Sequence, residues 1–174
     1  MRVTVLFSTS NAWISRVIRW ASRLLGRDKG RSSHALVCLE MLSLSLIVEA
    51  TFPGGCRVLT RKRRFKGSAP LAEYKLLLPV QGDVNEALSL VGDDYDIPGL
   101  LGYIPVMIAR WFKRKIKNPW ASASKLVCSE FVQRFIQALV KVNIPEWKGL
   151  DPSTVLPDDL WERLEKGGSS FEKV

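Results

Sequence analysis

The sequence predicts an α+β fold with a mostly antiparallel sheet. Consecutive β-rich runs occupy residues 34–60, and segments of helical periodicity flank them rather than alternate with them. The apolar share of 47% over 174 residues is enough for one real core, so a single domain, 1–174, is expected.

The elements follow in order. Residues 2–8 alternate and are β-rich, which reads as a first strand. Asn11 to Leu25 reads as a helix, with Ile14, Val17, Ile18, Ala21, Leu24 and Leu25 on one face. Arg16, Arg19 and Arg23 fall on the other face; Ser10 or Asn11 can cap this helix, and Gly26 can end it. After a polar loop, Arg27 to Ser33, come two strands, His34–Glu40 and Leu44–Thr51, with a tight link at Met41–Ser43. Pro53-Gly54-Gly55 is a turn, Cys56–Thr60 a short strand, Arg61–Arg64 a solvated cationic run, and Tyr74–Val80 a further strand. Asp83 and Glu86 have capping-box spacing for a helix to Val91. Gly92–Gly102 reads as irregular, and Met107–Lys117 as a basic amphipathic piece. Ser122 or Ser124 should start the clearest helix, whose stripe is Val127, Phe131, Val132, Phe135, Ile136, Leu139 and Val140. Pro157-Asp158-Asp159 favours a last helix start, before Leu160–Leu164.

Composition removes several classes. Three cysteines are too few, and odd in number, for a disulfide scaffold. One histidine and three scattered cysteines lack zinc-ligand spacing, so neither a metal nor a cofactor is expected. The N-terminal apolar run is not followed by a small-residue cleavage site. The longest apolar stretch, Ile97–Phe112, is broken by Pro98, Pro105 and Arg110, which argues against a spanning helix. A cytoplasmic protein is therefore expected, with membrane association left open.

The net charge of +9 asks for an anionic partner. The cations cluster in three sets: Arg16, Arg19, Arg23 and Arg27; Arg57 and Arg61–Lys66; and Arg110, Lys113, Arg114, Lys115 and Lys117, interleaved with Trp111 and Phe112. The plainest reading is solvated faces that keep the protein soluble. An anionic membrane surface comes next, and nucleic acid, for which no recognition motif is present, third.

Three residues combine into a chemistry. His34, the only histidine, begins a strand just after a loop. Cys128 lies near the start of the strongest helix, where the dipole and free N–H groups favour thiolate. If the hairpin folds about Met41–Leu42, Glu49 lies opposite His34 on one sheet face and can orient its ring. Each has a plainer alternative: a hydrogen-bonded strand-end histidine, a buried structural cysteine, the first solvated residue after an apolar run. Together they have the parts of a cysteine hydrolase, a nucleophile, a base and an orienter.

Five motifs recur in one family in this order: Ser33-His34-Ala35-Leu36-Val37, Val48-Glu49-Ala50-Thr51, Tyr95-Asp96, Val127-Cys128-Ser129-Glu130-Phe131-Val132 and Pro157-Asp158-Asp159-Leu160. The chain resembles the circularly permuted papain-like hydrolases of the NlpC type, the YiiX/YaeF-like group, over about residues 1–165. The resemblance implies a mostly antiparallel sheet or small barrel packed against helices. It also implies Cys128 as nucleophile, His34 as base and Glu49 as third member. Tyr95 would be a pocket wall and candidate oxyanion donor, Asp96 a loop anchor, and the Pro157–Leu160 match structural. Cleavage of an amide or acyl bond is implied, in a peptidoglycan fragment or a lipid, in a bacterium or a bacterial virus. The basic, apolar segment at about 97–120 departs from the family pattern as an insertion. The competing class is a catalytically idle basic module that docks on anionic membrane or nucleic acid. Oligomeric state is not readable.

Overall fold

Eight strands and six α-helices follow one another among the described residues of the computed structural model. They are β1 (Arg2–Ser8), α1 (Trp13–Leu24), β2 (His34–Met41), β3 (Leu44–Thr51), β4 (Gly55–Thr60), α2 (Arg61–Phe65), β5 (Ala72–Leu76), α3 (Val84–Leu88), β6 (Asp94–Tyr95), α4 (Ile97–Trp111), β7 (Lys125–Leu126), α5 (Cys128–Val140), α6 (Pro157–Glu165) and β8 (Phe171–Lys173). The structure describes residues 1–9, 13–24, 31–114, 116–120, 122 and 125–174, with the backbone alone for 13, 14, 21, 22, 24, 107 and 111. The caps expected at Ser10 or Asn11, the stop at Gly26, the cations Arg27 and Lys115, and Ser124 lie outside the described residues. So do Leu25 and the side chains of Ile14, Ala21, Leu24 and Trp111.

The chain is α+β. Six strands form one antiparallel sheet in the order β4-β3-β2-β1-β5-β8, and β6 and β7 form a short parallel pair. Alternation sends Val5, Phe7, Val37, Leu39, Val48 and Tyr74 to one face, where they join the main core with the α5 stripe Phe131, Val132, Phe135, Ile136 and Leu139. Burying each large apolar side chain contributes about 1.5–3 kcal/mol, so this face dominates the stability. Trp161 of α6 stacks on Phe7 there at 5.3 Å. The opposite face carries a smaller cluster, Leu6, Leu36, Cys38, Ile47 and Phe65, the last from α2.

Several expectations are corrected. The hairpin closes through Leu42-Ser43, with Leu42 at a left-handed φ of 49°, and Met41 pairs with Leu44. Continuing that register sets Glu49 opposite Leu36, not His34. The displacement is an even two residues, so His34 and Glu49 remain on one face as diagonal neighbours. The cationic run Arg61–Arg64 is not merely solvated: it forms α2, capped by Thr60 and closed by Lys66 in the left-handed region. The strand placed at Tyr74–Val80 runs from Ala72 to Leu76, and the helix after Asp83 ends at Leu88 rather than Val91. The stretch read as irregular to Gly102 is helical from Ile97, because Asp96 accepts from Gly99 N–H (2.8 Å) and Pro98 suits a helix's first turn. Ser122 does not open α5, whose first helical residue is Cys128, after extended Val127. Val17, expected on the apolar face of α1, is 38% exposed, whereas Ile18 is buried.

Gly55 holds the β3–β4 turn against the loop that leads to Tyr95. It sits at φ 62°, and a Cβ there would lie 2.5 Å from the Asp93 carbonyl oxygen. That carbonyl also accepts from Cys56 N–H at 2.8 Å. Gly55→Ala is therefore expected to destabilise the fold by about 1–3 kcal/mol, read as a lower thermal midpoint.

Candidate active site

Three elements meet at one end of the sheet. β2 begins at His34, β3 brings Glu49 beside it, and α5 begins at Cys128. The entry to β2 is held by its neighbours: Ser33 N–H donates to Ser8 O (3.1 Å), and Ser32 N–H and Oγ donate to Asp158 Oδ1 (2.8 and 3.0 Å). Asp159 in turn accepts from Leu156 N–H (2.8 Å) and from Arg110 (3.2 Å). The Pro157–Leu160 motif thus fixes the segment before His34. Arg110, expected in a basic surface set, is spent on this internal bond.

His34 Nε2 lies 2.9 Å from Glu49 Oε2, and the Cys128 thiol interacts with the same ring. Glu49 is wholly buried and accepts from two arginines as well. Arg57 donates through Nη2 (2.8 Å) and Nε (3.1 Å), and Arg64 through Nε (2.7 Å). Arg64 also reaches Ser8 Oγ at 3.2 Å. Tyr95 of β6 lies close enough to Cys128 for the two to influence each other's ionisation. Asp96 anchors its loop, accepting from Ser122 N–H at 2.9 Å as well as capping α4.

The charges follow from these contacts. Burial of the Cys128 thiol opposes ionisation. The His34 bond and charge, with the Ala35 and Ser129 backbone N–H groups, outweigh burial and lower its pKa. Burial would lower the His34 pKa too, yet its bonds to Cys128 and Glu49 raise it to about 9. Glu49 is held well below the usual carboxylate range: burial works against this, and His34 and Arg64 overcome it. These contacts favour a thiolate–imidazolium pair backed by a carboxylate. Cys56, buried with no such partner, is pushed up to about 12, and burial also raises Cys38.

His34 and Tyr95 both line a cleft of about 500 Å³, together with Ser15 and Ile18 of α1, Phe52, Arg57, Arg63, Arg64 and Lys66. Cys128 itself is 2% exposed and is not among the residues that line the cleft. All four residues singled out as site candidates thus share one place. Arg57 and Arg64 were counted only as surface charge. A hairpin centred on Pro53 sets Glu49 opposite Arg57, so that pairing was within reach of sequence reasoning. Arg64 arrives from α2, and no local pattern announces it. Among the described residues no group of three or more His, Cys, Asp or Glu side chains could hold a metal ion, and no helix is long and apolar enough to cross a membrane. No protein-family model, curated protein or solved structure matches the chain.

Proposed function

We propose that the protein is a thiol hydrolase of permuted papain-like type that cleaves an amide or acyl bond. The observation that carries this reading is that Cys128, at the first position of α5, interacts with His34, whose ring is hydrogen-bonded to buried Glu49. The ordered motifs shared with the NlpC-type hydrolases support it.

In the proposed reaction His34 holds the Cys128 proton, and the thiolate attacks the carbonyl carbon. The oxyanion receives hydrogen bonds from Cys128 N–H, at the first position of a helix, and from the Tyr95 hydroxyl. His34 then returns the proton to the leaving amine or alkoxide as the carbonyl re-forms. Water, deprotonated by His34, attacks the thioester; the acid departs and the thiol is regenerated. Glu49 keeps the ring in place and stabilises imidazolium without taking part in proton transfer. Peptidoglycan fragments and phospholipids are the substrate classes to offer.

The test is turnover of both classes, with peptide mapping of quenched reactions. The expected result is product from the wild-type chain, an acyl mass increment on Cys128, and no product from Cys128→Ala. Product formed equally by Cys128→Ala contradicts the reading.

A further inference from the structure

One helix is fixed in the fold by one face and left bare on the other. The inner face of α4 is tied down: Tyr103 and Val106 are buried, Tyr103 Oη donates to Val155 O (3.0 Å), and Arg110 donates to Thr154 O (2.9 Å). Its outer face carries Leu101, Ile104, Ile108 and, at the cap, Phe112, exposed by 42, 43, 56 and 71%. These positions are three, four and four residues apart, one continuous stripe on a helix. A solvated surface helix would place polar side chains there.

The charge around the stripe says what it meets. Residues 97–125 contain no Asp or Glu, and the segment just after the helix holds Lys113, Arg114 and Lys117. These three side chains are exposed and have no acidic partner among the described residues. Exposed Ile116 and Trp120 lie among them. Apolar side chains edged by unpaired cations match an anionic lipid interface, which takes up the former below its headgroups and attracts the latter. A second copy of the chain would set cations against cations. Nucleic acid would satisfy the charge and leave the aliphatic stripe in water.

We propose that the outer face of α4 and the basic segment after it dock on an anionic lipid bilayer. α4 starts two residues beyond Tyr95, which lines the cleft. The proposal does not rest on the catalytic reading, and its test needs no turnover.

The test is co-sedimentation of the full chain with vesicles of phosphatidylcholine alone, or with phosphatidylglycerol added, at low and high salt. Binding is expected only to the phosphatidylglycerol vesicles, weakening with salt. Ile108→Asp with Phe112→Ser, and separately Lys113→Gln, Arg114→Gln and Lys117→Gln, should each weaken it by roughly 10- to 100-fold. All five positions are exposed, so an unchanged thermal midpoint is expected and shows that folding is intact. Absence of wild-type binding overturns the proposal, as does equal binding to neutral vesicles or wild-type affinity in either variant. Dimerisation, or binding to a DNA duplex, without vesicle binding also overturns it.

Discussion

Replacing His34 by Gln should slow alkylation of Cys128 at neutral pH by roughly 10- to 100-fold. In the native protein His34 supplies the interaction and the positive charge that lower the thiol pKa against burial. Gln keeps most of the volume and supplies no charge, so the thiol pKa rises toward its ordinary value. An unshifted thiol is about 1–3% thiolate at pH 7, which sets the upper end of the range. The lower end arises because a thiolate of low pKa is intrinsically less nucleophilic, which trims the native advantage. If Gln leaves the rate unchanged, His34 does not govern the thiol.

Replacing Glu49 by Ala should cost about 3–5 kcal/mol, because it removes the acceptor shared by His34, Arg57 and Arg64. Arg57 can recover water, its side chain being 45% exposed, while Arg64 and His34, at 21% and 11%, recover little. Denaturant midpoints would read the loss, and Glu49→Gln, which keeps shape and one acceptor oxygen, should lose less. The pH dependence has a definite sign. The Glu49 pKa is lowered on folding, so its contribution is complete above the unfolded carboxylate pKa and is lost as pH falls through the folded value. The gap between wild type and Glu49→Gln should therefore close toward strongly acidic pH. His34, raised to about 9, behaves oppositely: its contribution is complete below the unfolded pKa of about 6.5 and is lost as pH rises through the folded value. A gap independent of pH would show that Glu49 acts through packing alone.

The sheet strands were legible wherever local pattern decides. β1, β2 and β3 have the alternation, the turn residues and the apolar runs that specify them, and the stripe of α5 is buried as its spacing predicts. The His34–Glu49 pairing survived an incorrect register because a slip of two residues keeps side chains on one face; a slip of one would have parted them. What local pattern could not convey came from elements packing at a distance. Arg61–Arg64 reads as water-loving charge until α2 folds over the sheet and gives Arg64 a buried carboxylate and Arg61 the Glu73 partner at 2.6 Å. α4 was hidden by its prolines and glycines, of which Pro98 sits in the first turn and Gly102 faces Asn118. β8 is three residues long and gains its identity only by pairing with β5.

The central claim is that Cys128 alone among the cysteines has its pKa lowered below that of an ordinary thiol. Burial cannot separate them, since Cys38, Cys56 and Cys128 are 0, 3 and 2% exposed. Their partners do, because only Cys128 has the His34 ring and the Ala35 and Ser129 N–H groups lowering its pKa. The direct measurement is the rate of iodoacetamide alkylation of each cysteine in the folded protein between pH 5 and 10, read by peptide mapping. The account predicts that Cys128 reacts fastest near pH 7, with a midpoint below that of an ordinary thiol, while Cys38 and Cys56 stay slow. Equal rates at the three sites, or a Cys128 midpoint at or above the ordinary thiol value, would contradict it.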